Sequence, residues 1–461
     1  MDLTKIQLFA DDHLIEETYR LGRRVHRPEK YSQPLIVPDR PWEGLGIFLW
    51  GTAMYDEGEG QFKMWYQTHD PLLESRRGKF ICYATSADGL HWEKPQLGRV
   101  EFRGSKANNI VLDPGEALDS PSVVYDPEDE DASRRYKMIY RAATSGEVGL
   151  YAAFSPDGIA WNPLTHPVAP RHGDRTNAMF SRDMQGKFVV LTRKPDMMRD
   201  YNTRCVYRIE SQDFINWSPA QLVMKPDLGD GPNMQFYSMT GFVYGDQYLG
   251  VLERMHTVPD VLDEELTTSR DGITWQRVDR HQPFLMREKE WEGNWVHVAS
   301  NPPILYQGRL WWYYCGRHYR HGASRPHREC RIGLATSRAD GFVSIEGGPE
   351  EGRLLTKVLV WPGGDLEINA DCRTSPVDYF RIFQGSLRVA VLDNSGHAVQ
   401  GFGLEEAVPF TEDTEDRQTG QKYHRPEWSS GRKMAELKGK KIRLAFYIRS
   451  ARLYSFRATG P

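Results

Sequence analysis

The sequence predicts an all-β protein, with a five-bladed β-propeller over residues 1–348 and an antiparallel β-sandwich over residues 349–461. Three observations carry this prediction. Aromatic residues make up 12% of the 461 residues, glycine and proline occupy 41 and 28 positions, and one seven-residue pattern recurs along the first three quarters of the chain. Abundant aromatic residues combined with abundant turn residues are typical of β proteins.

The recurring pattern is Ser-x-Asp-Gly-x-x-Trp, which we call the turn box. Asp-Gly favours a tight turn, because aspartate binds nearby backbone N–H groups and glycine adopts a positive φ. The third box has Phe214 in place of glycine, and the fifth is looser and lacks the tryptophan. The boxes begin at Ser86, Ser155, Ser211, Ser269 and Ser337.

Each turn box follows strand-like runs and leads into a further run, so each unit predicts a four-stranded antiparallel sheet. In the first unit the runs are residues 52–56, 62–66 and 80–84, followed by the box. Sheets repeated around a closed ring hide most of their edges, which favours a propeller.

After residue 348 no box recurs. Alternating runs at 387–392 and 441–447 predict the sandwich there, and the acidic run at 411–416 is interpreted as a solvated loop.

The overall charge and the cysteine content exclude several classes of protein. The net charge of −4 argues against a binder of nucleic acid or anionic membranes, since both need a basic excess. Five cysteines without a C-x-x-C pair predict neither a disulfide framework nor a cysteine zinc site. Acidic residues interrupt the N-terminal segment, and no apolar run of membrane-spanning length follows. We therefore expect a cytoplasmic protein, and the sequence leaves its oligomeric state open.

A propeller with these boxes, followed by a sandwich, resembles glycoside hydrolase families 32 and 43 and their relatives. Three segments are similar to bacterial family-32-like hydrolases: residues 8–12 (Leu-Phe-Ala-Asp-Asp), residues 41–43 (Pro-Trp-Glu) and residues 63–66 (Lys-Met-Trp-Tyr). The resemblance implies cleavage of a furanoside or pentoside by carboxylates at the propeller axis, with an oligosaccharide or glycoside as substrate. The sequence departs from family 32, because the Trp-x-Asn-Asp-Pro-Asn-Gly, Arg-Asp-Pro and Glu-Cys-Pro motifs are absent.

In these hydrolases the pocket opens where the innermost strands begin, next to the loops that follow the second strands. Candidates before the innermost strands are Trp42, Glu43, Asp119, Asp174, Glu292 and His297. At the ends of the second strands stand Arg141, Arg193, Arg254 and Arg317. Four arginines on one face predict a mouth suited to carboxylate, phosphate or dense hydroxyl groups. The alternative interpretation is that they form ion pairs between blades.

Glycoside cleavage needs a carboxylic acid that protonates the leaving oxygen and a carboxylate that acts as base or nucleophile. The catalytic candidates are Asp119, Asp174 and Glu253, with Glu253 as the expected proton donor and Glu43 and Glu292 in reserve. The alternative for each carboxylate is a turn cap or an ion-pair partner. The segment 317–331, rich in arginine and histidine, predicts either a solvated loop or a lid over an acidic or phosphorylated substrate.

Three functions compete at this stage. A glycoside hydrolase leads, a glycoside phosphorylase would use the arginines to bind phosphate, and a non-catalytic carbohydrate-binding propeller needs no carboxylate pair. No cofactor is predicted. A structural Ca²⁺ on the axis stays open, without a motif that indicates it.

Overall fold

A computed structural model describes residues 1–69, 79–114, 116–144, 146–179, 182–194, 203–280, 282–323, 329–373, 384–415 and 422–460. Within these ranges the chain forms β-strands and four short 3-10 helices, and no α-helix. The all-β prediction is confirmed. The 3-10 helices are Ala132–Arg134, Leu228–Asp230, Glu290–Glu292 and Met434–Leu437.

The chain starts with four short strands that pair with distant parts of the sequence. They are β1 (Gln7–Leu8), β2 (Ile15–Tyr19), β3 (Leu21–Val25) and β4 (Glu29–Lys30).

Five antiparallel units follow, and each contains one turn box. Unit 1 has β5 (Gly46–Asp56), β6 (Gln61–His69), β7 (Ile81–Ser86) and β8 (Ile110–Leu112). Unit 2 has β9 (Glu116–Tyr125), β10 (Tyr136–Thr144), β11 (Glu147–Ser155), β12 (Asn162–Pro163) and β13 (Ala169–Pro170). Unit 3 has β14 (Thr176–Ala178), β15 (Phe188–Thr192), β16 (Val206–Ser211) and β17 (Gln221–Met224).

Units 4 and 5 continue the pattern. Unit 4 has β18 (Met234–Tyr244), β19 (Gln247–His256), β20 (Val261–Ser269), β21 (Trp275–Arg277) and β22 (Pro283–Leu285). Unit 5 has β23 (Trp295–Val298), β24 (Ile304–Tyr306), β25 (Arg309–Arg317) and β26 (Cys330–Arg338). Its outer strand is the N-terminal β4, which pairs with β26. This explains the loose fifth box, because the chain after it does not supply an outer strand.

The innermost strands β5, β9, β14, β18 and β23 are joined in a ring by hydrogen bonds from unit to unit. The bonds are Val123 N to Thr52 Oγ1 (2.9 Å), Ala178 N to Ser122 Oγ (3.0 Å), Asn177 Nδ2 to the Met239 carbonyl (3.0 Å), Thr240 Oγ1 to the Ala299 carbonyl (3.2 Å) and Ser300 N to the Gly51 carbonyl (2.8 Å). The last bond links unit 5 back to unit 1. Hydrogen bonds therefore link the five units in a closed series, in which the strands of units 4, 5 and 1 form one 14-stranded sheet.

The four complete turn boxes fold alike. In the second, Ser155 Oγ accepts from Gly158 N (2.9 Å), Asp157 Oδ1 accepts from Ile159 N and Ala160 N (2.8 and 2.7 Å), and Trp161 Nε1 donates to the Gly158 carbonyl (2.9 Å). Phe214 takes the glycine position of the third box with a φ of 66°, a value that a phenylalanine rarely adopts. Since all these bonds join residues close in sequence, the box alone determines its own turn.

Each box also receives a hydrogen bond from the preceding unit. The donors and acceptors are Tyr313 OH to the Gly89 carbonyl (2.7 Å), Trp65 Nε1 to the Gly158 carbonyl (2.6 Å), an Arg134 guanidinium nitrogen to the Asp213 carbonyl (3.1 Å) and an Arg208 guanidinium nitrogen to the Gly272 carbonyl (3.3 Å). The boxes therefore connect neighbouring units as well as turning the chain.

The C-terminal strands and the N-terminal strands share two five-stranded sheets. The C-terminal strands are β27 (Val343–Gly347), β28 (Gly352–Thr356), β29 (Leu359–Val360), β30 (Leu366–Asp371), β31 (Ser386–Asp393), β32 (Lys441–Arg449) and β33 (Arg452–Ala458). One sheet contains β1, β3, β27, β30 and β33, and the other contains β2, β28, β29, β31 and β32. Both sheets bury side chains in one apolar core, where Phe9 and Phe456 of the first meet Phe446 of the second.

The division at residue 348 stays a prediction, but strand pairing places residues 7–25 with the C-terminal sheets. The acidic run beginning at residue 411 is described as far as Glu415. It is not simply solvated, because Asp413 binds Arg338 (2.6 Å) and Glu415 binds Arg309 (3.3 Å), both from unit 5. These ion pairs join the C-terminal sheets to the ring.

Candidate active site at the ring axis

The candidate site lies where the innermost strands begin, and a kink at Ser120 shapes it. Ser120 has a φ of 48°, and the pairing of β9 with β10 shifts register opposite this point. Ser120 N donates to Gln67 Oε1 (2.9 Å) and Ser120 Oγ donates to the Asp174 carbonyl (2.7 Å). A positive φ at a non-glycine residue is unfavourable and persists when its surroundings fix it. Units 1, 2 and 3 are thus joined beside Asp119.

Asp119 and Asp174, two of the three predicted catalytic carboxylates, both belong to this site. Asp119 Oδ2 binds Lys79 Nζ at 3.0 Å, and its buried Oδ1 has no hydrogen-bond partner among the described residues. Asp174 forms an ion pair with Arg193, and 48% of its side chain is exposed. Of the two, Asp174 is open to solvent, and Asp119 keeps one carboxylate oxygen unused.

Glu253, the third predicted carboxylate, is buried and bound on both oxygens. Oε1 accepts from Trp295 Nε1 (2.5 Å), and Oε2 accepts from Ser238 Oγ (2.5 Å) and from an Arg175 guanidinium nitrogen (2.9 Å). A proton donor in glycoside cleavage needs an oxygen that the leaving group can reach. Glu253 offers none in this structure, so its geometry is that of a positioning residue.

A second buried acid, Glu264, lies across the strand pair from Glu253. Its Oε1 accepts from Val298 N at 2.9 Å. Burial, together with the negative charge of Glu253, raises the pKa of Glu264 well above its usual value. The protonated form of Glu264 is therefore favoured, which opposes a second negative charge behind Glu253.

Aromatic rings and arginines alternate around the axis. The Arg317 guanidinium carbon lies 3.5 Å from the ring centre of Trp295 and 4.5 Å from those of Phe48 and Trp50. The other cation–ring pairs are Arg175 on Trp50 (4.6 Å), Arg193 on Tyr237 (4.5 Å) and Arg204 on Tyr237 (5.3 Å). Such contacts stabilise cations that have left water.

Two histidines of the site are neutral at pH 7. Burial and then the charges of Arg317 and Arg175 lower the pKa of His297 far below its usual value, and neither ring nitrogen has a hydrogen-bond partner among the described residues. Burial, with Arg204 next, lowers the pKa of His321 to about 4. His321 Nε2 lies 3.0 Å from Tyr237 OH. Their neutral state fits a region of positive potential.

Two predicted residues, Glu43 and Glu292, lie outside this group and occupy equivalent places in units 1 and 5. Glu43 Oε2 accepts from Asp39 N (2.9 Å), Arg40 N (3.1 Å) and Lys94 Nζ (2.8 Å). Glu292 Oε1 accepts from Glu288 N (3.0 Å), Lys289 N (2.9 Å) and Lys30 Nζ (2.7 Å). Both are fully buried. They anchor the chain before an innermost strand, as the alternative interpretation of an ion-pair partner allowed.

Trp42 and Arg254 are not brought into the cation–ring group either. Trp42 Nε1 donates to Asn109 Oδ1 (2.7 Å), beside Glu43 in unit 1. Arg254 binds Asp263 (2.7 Å) and Glu265 (2.8 Å), because neighbouring residues of a strand point to opposite faces and Glu253 faces the axis. Arg141 pairs with Asp119 through the strand register and is half-buried. Of the predicted arginines, Arg193 and Arg317 contact the rings of this group, and the mouth itself stays a prediction.

Sequence reasoning missed Arg175, Arg204, Lys79 and Trp50, whereas it named residues 235–237, which include Tyr237, as a candidate segment before an innermost strand. For Arg175 a signal existed. Arg175 lies two residues before Asn177, whose side chain bonds to the neighbouring unit, and residues two apart on a strand share a face. Lys79 reaches Asp119 from a different unit, and no local pattern marks it. In the loop 317–331, residues 324–328 lie outside the described residues, so the predicted lid stays a prediction.

Neither a metal cluster nor a membrane-spanning helix is found in the described ranges. No three His, Cys, Asp or Glu side chains there are grouped as metal ligands would be. Among the same residues, no helix is long and apolar enough to cross a membrane. A structural Ca²⁺ stays an untested expectation.

Comparison with known proteins gives structural neighbours alone. No protein-family model matches the sequence, and no curated protein matches it. One solved structure, from work on GH130 mannoside phosphorylases and glycoside hydrolases that target β-1,2 mannosidic linkages in Candida mannan, is 14% identical over 71% of this chain and 95% of its own, with a TM-score of 0.48. A glycoside hydrolase is 15% identical over 68% and 92%, with a TM-score of 0.49. A glycosyl hydrolase from Bacteroides ovatus is 15% identical over 68% and 94%, with a TM-score of 0.47. Because these TM-scores lie below 0.5, these neighbours carry no argument about function, which is inferred from the side chains of this protein.

Proposed function

We propose that this protein cleaves a glycosidic bond by hydrolysis at the ring axis, with Asp119 and Asp174 as the reacting carboxylates. One observation supports this choice above the others: of the three carboxylates at the axis, these two keep an unused oxygen or an exposed face, whereas Glu253 is bound on both oxygens. The expected proton donor Glu253 is thus replaced by one of the two aspartates.

The chemistry follows from what each group can reach. One aspartic acid gives its proton to the departing glycosidic oxygen as the bond to the anomeric carbon breaks, and the other carboxylate activates water or attacks that carbon. Water supplies the new hydroxyl group at the anomeric carbon and the proton that restores the acid. Glu253 takes no part in this exchange. It holds Arg175, which also lies 3.5 Å from Ser120 Oγ next to Asp119.

The sugar ring is a finer part of the same proposal. The resemblance to families 32 and 43 favours a furanoside or a pentoside as substrate. Trp50, Tyr237 and Trp295 lie at the axis, where arginines contact their rings.

The test compares turnover of nitrophenyl furanosides and pyranosides by the protein and by Asp119→Asn and Asp174→Asn. Loss of a general acid or base costs about 10²–10⁴-fold in rate, so each variant should fall by at least that much. Asp227→Asn is a matched control, because Asp227 is a half-exposed carboxylate paired with Arg280, as Asp174 is with Arg193. It should keep full activity.

The same assay separates the competing functions. Cleavage that requires inorganic phosphate and releases a sugar phosphate would replace hydrolysis by phosphorolysis. Sugar binding without turnover of any substrate would contradict hydrolysis and support a non-catalytic carbohydrate-binding protein. Full activity in both aspartate variants would show that other groups carry the reaction.

A further inference from the structure

The Arg317 guanidinium is buried at the axis without a negatively charged partner among the described residues. Arg317 is 2% exposed. Its Nε and one terminal nitrogen have no hydrogen-bond partner among the residues that the structure describes. The face of the guanidinium lies against Trp295, so only its edge can donate hydrogen bonds. Buried donors without acceptors are costly, and they mark a place where a ligand can supply the acceptor.

Arg193 repeats this situation in unit 3. One of its terminal nitrogens binds Asp174, while Nε and the other terminal nitrogen have no partner among the described residues. Both arginines lie in the group around Tyr237 and Trp295, whose rings are 5.2 Å apart. Two guanidinium groups with unused donors therefore line one aromatic wall.

The charges of this wall do not balance within the described residues. Arg175, Arg193, Arg204 and Arg317 contact its rings. Against these four cations stand three carboxylates: Glu253 and Asp174, which bind Arg175 and Arg193, and Asp260, which lies 3.9 Å from His321. The Lys79–Asp119 pair is neutral as a whole, and both histidines are uncharged. An excess of positive charge in a buried site attracts an anion.

We propose that the substrate of this site is an acidic sugar, whose carboxylate binds Arg193 and Arg317. This substrate class rests on the proposed cleavage at the ring axis, since it concerns the same site, and it takes the place of the furanoside or pentoside that the resemblance favours. A planar carboxylate accepts two parallel hydrogen bonds from the edge of a guanidinium, which is the part of Arg317 that its stacking leaves available. Rings and cations alternate in one wall, so a single ligand meets both. A uronic acid presents a carboxylate and an apolar ring face together, whereas free phosphate presents only charge.

The test measures binding by calorimetry with four probes: D-glucuronate, D-galacturonate, D-glucose and D-galactose. At least one uronate should bind at least ~10-fold more tightly than its neutral counterpart, because a hydrogen bond to a charged group contributes about 1.5–3 kcal/mol. Arg317→Met keeps an apolar side chain between Phe48 and Trp295 but removes the charge. It should lose this preference, as should Arg193→Met.

Arg280→Met is the control, because it removes the same charge from an ion pair away from the axis. It should bind the uronates as the unchanged protein does. Thermal melting shows whether each variant is folded. If Arg317→Met unfolds, the proposal is decided by Arg317→Lys and by the preference of the unchanged protein for a uronate over its neutral sugar. Equal affinity for uronates and neutral sugars, or an unchanged preference in the folded Arg317 and Arg193 variants, would overturn the acidic-sugar assignment.

Inorganic phosphate is a fifth probe. If phosphate binds to the unchanged protein but not to Arg317→Met, and no uronate binds, the arginines serve a free inorganic anion. That result would overturn the acidic-sugar assignment. Because binding is measured without turnover, the two proposals fail separately. Uronate binding without cleavage of any nitrophenyl glycoside contradicts hydrolysis alone, and hydrolysis of neutral glycosides without uronate preference contradicts the substrate class alone.

Discussion

Removing one partner of the buried ion pair between Arg175 and Glu253 should be among the more destabilising single changes in the ring. The two side chains are 2% and 1% exposed, and a guanidinium nitrogen lies 2.9 Å from Glu253 Oε2. Arg175→Met removes the cation and leaves Glu253 as a buried carboxylate with two remaining donors, Ser238 and Trp295. Breaking a buried pair by removing one partner costs about 3–5 kcal/mol. We expect a value near the lower end, about 3 kcal/mol, because those two donors still stabilise the carboxylate.

A double-mutant cycle isolates the pair from the packing of its side chains. Glu253→Leu alone leaves Arg175 buried without its carboxylate, and should cost a similar amount. The double variant Arg175→Met/Glu253→Leu removes both charges, so it should be less destabilised than the sum of the single variants by at least about 2 kcal/mol.

The assay is urea unfolding followed by tryptophan fluorescence, with the midpoint compared at unchanged slope. Arg280→Met breaks an exposed ion pair with Asp227 and should cost no more than about 1 kcal/mol. If Arg175→Met costs no more than Arg280→Met, or if the single changes simply add, Glu253 is not a charge held by Arg175 and its assignment as a positioning residue is wrong.

Two further predictions concern the turn boxes and the pH dependence of stability. An alanine Cβ at Gly158 would lie 2.5 Å from the ring of Trp65, whereas Gly186 has a similar φ with open space around it. Gly158→Ala should therefore lower the free energy of unfolding by at least ~1 kcal/mol more than Gly186→Ala, as measured by thermal or urea unfolding. Equal costs would show that the backbone angle, not the contact between units, requires glycine. Burial lowers the pKa of His26 from 6.5 to about 4, so the folded state excludes a proton that the unfolded state binds. Stability should therefore be complete above pH 6.5 and fall as the pH drops towards 4, and melting curves of His26→Gln should show a smaller fall; an unchanged pH dependence would contradict this reasoning.

The turn boxes show why so much of the fold was predictable. Every hydrogen bond inside a box joins residues within the same seven positions, as between Ser155, Asp157 and Gly158. Such a pattern forms its turn wherever it occurs, and its repetition predicts repeated sheets. That Asp119, Asp174, Arg193 and Arg317 belong to one functional site stays a prediction.

Other parts of the site depended on contacts that no local pattern encodes. Which of Glu253 and Arg254 faces the axis depends on the register shift that places Ser238 opposite Glu253. The closure of unit 5 depends on β4, which comes from the other end of the chain and pairs with β26.

The sequence by itself thus determined the all-β class and the repeating turn boxes, because these follow from residues close together in the chain. Only the tertiary structure decided which carboxylates stay available. Glu43, Glu292, Asp119 and Asp174 all pair with a cation, but the side chains of Glu43 and Glu292 are 0% exposed, whereas those of Asp119 and Asp174 are 13% and 48% exposed. A carboxylate can meet a ligand only where the packing of the whole chain leaves part of it exposed, and no local pattern encodes that.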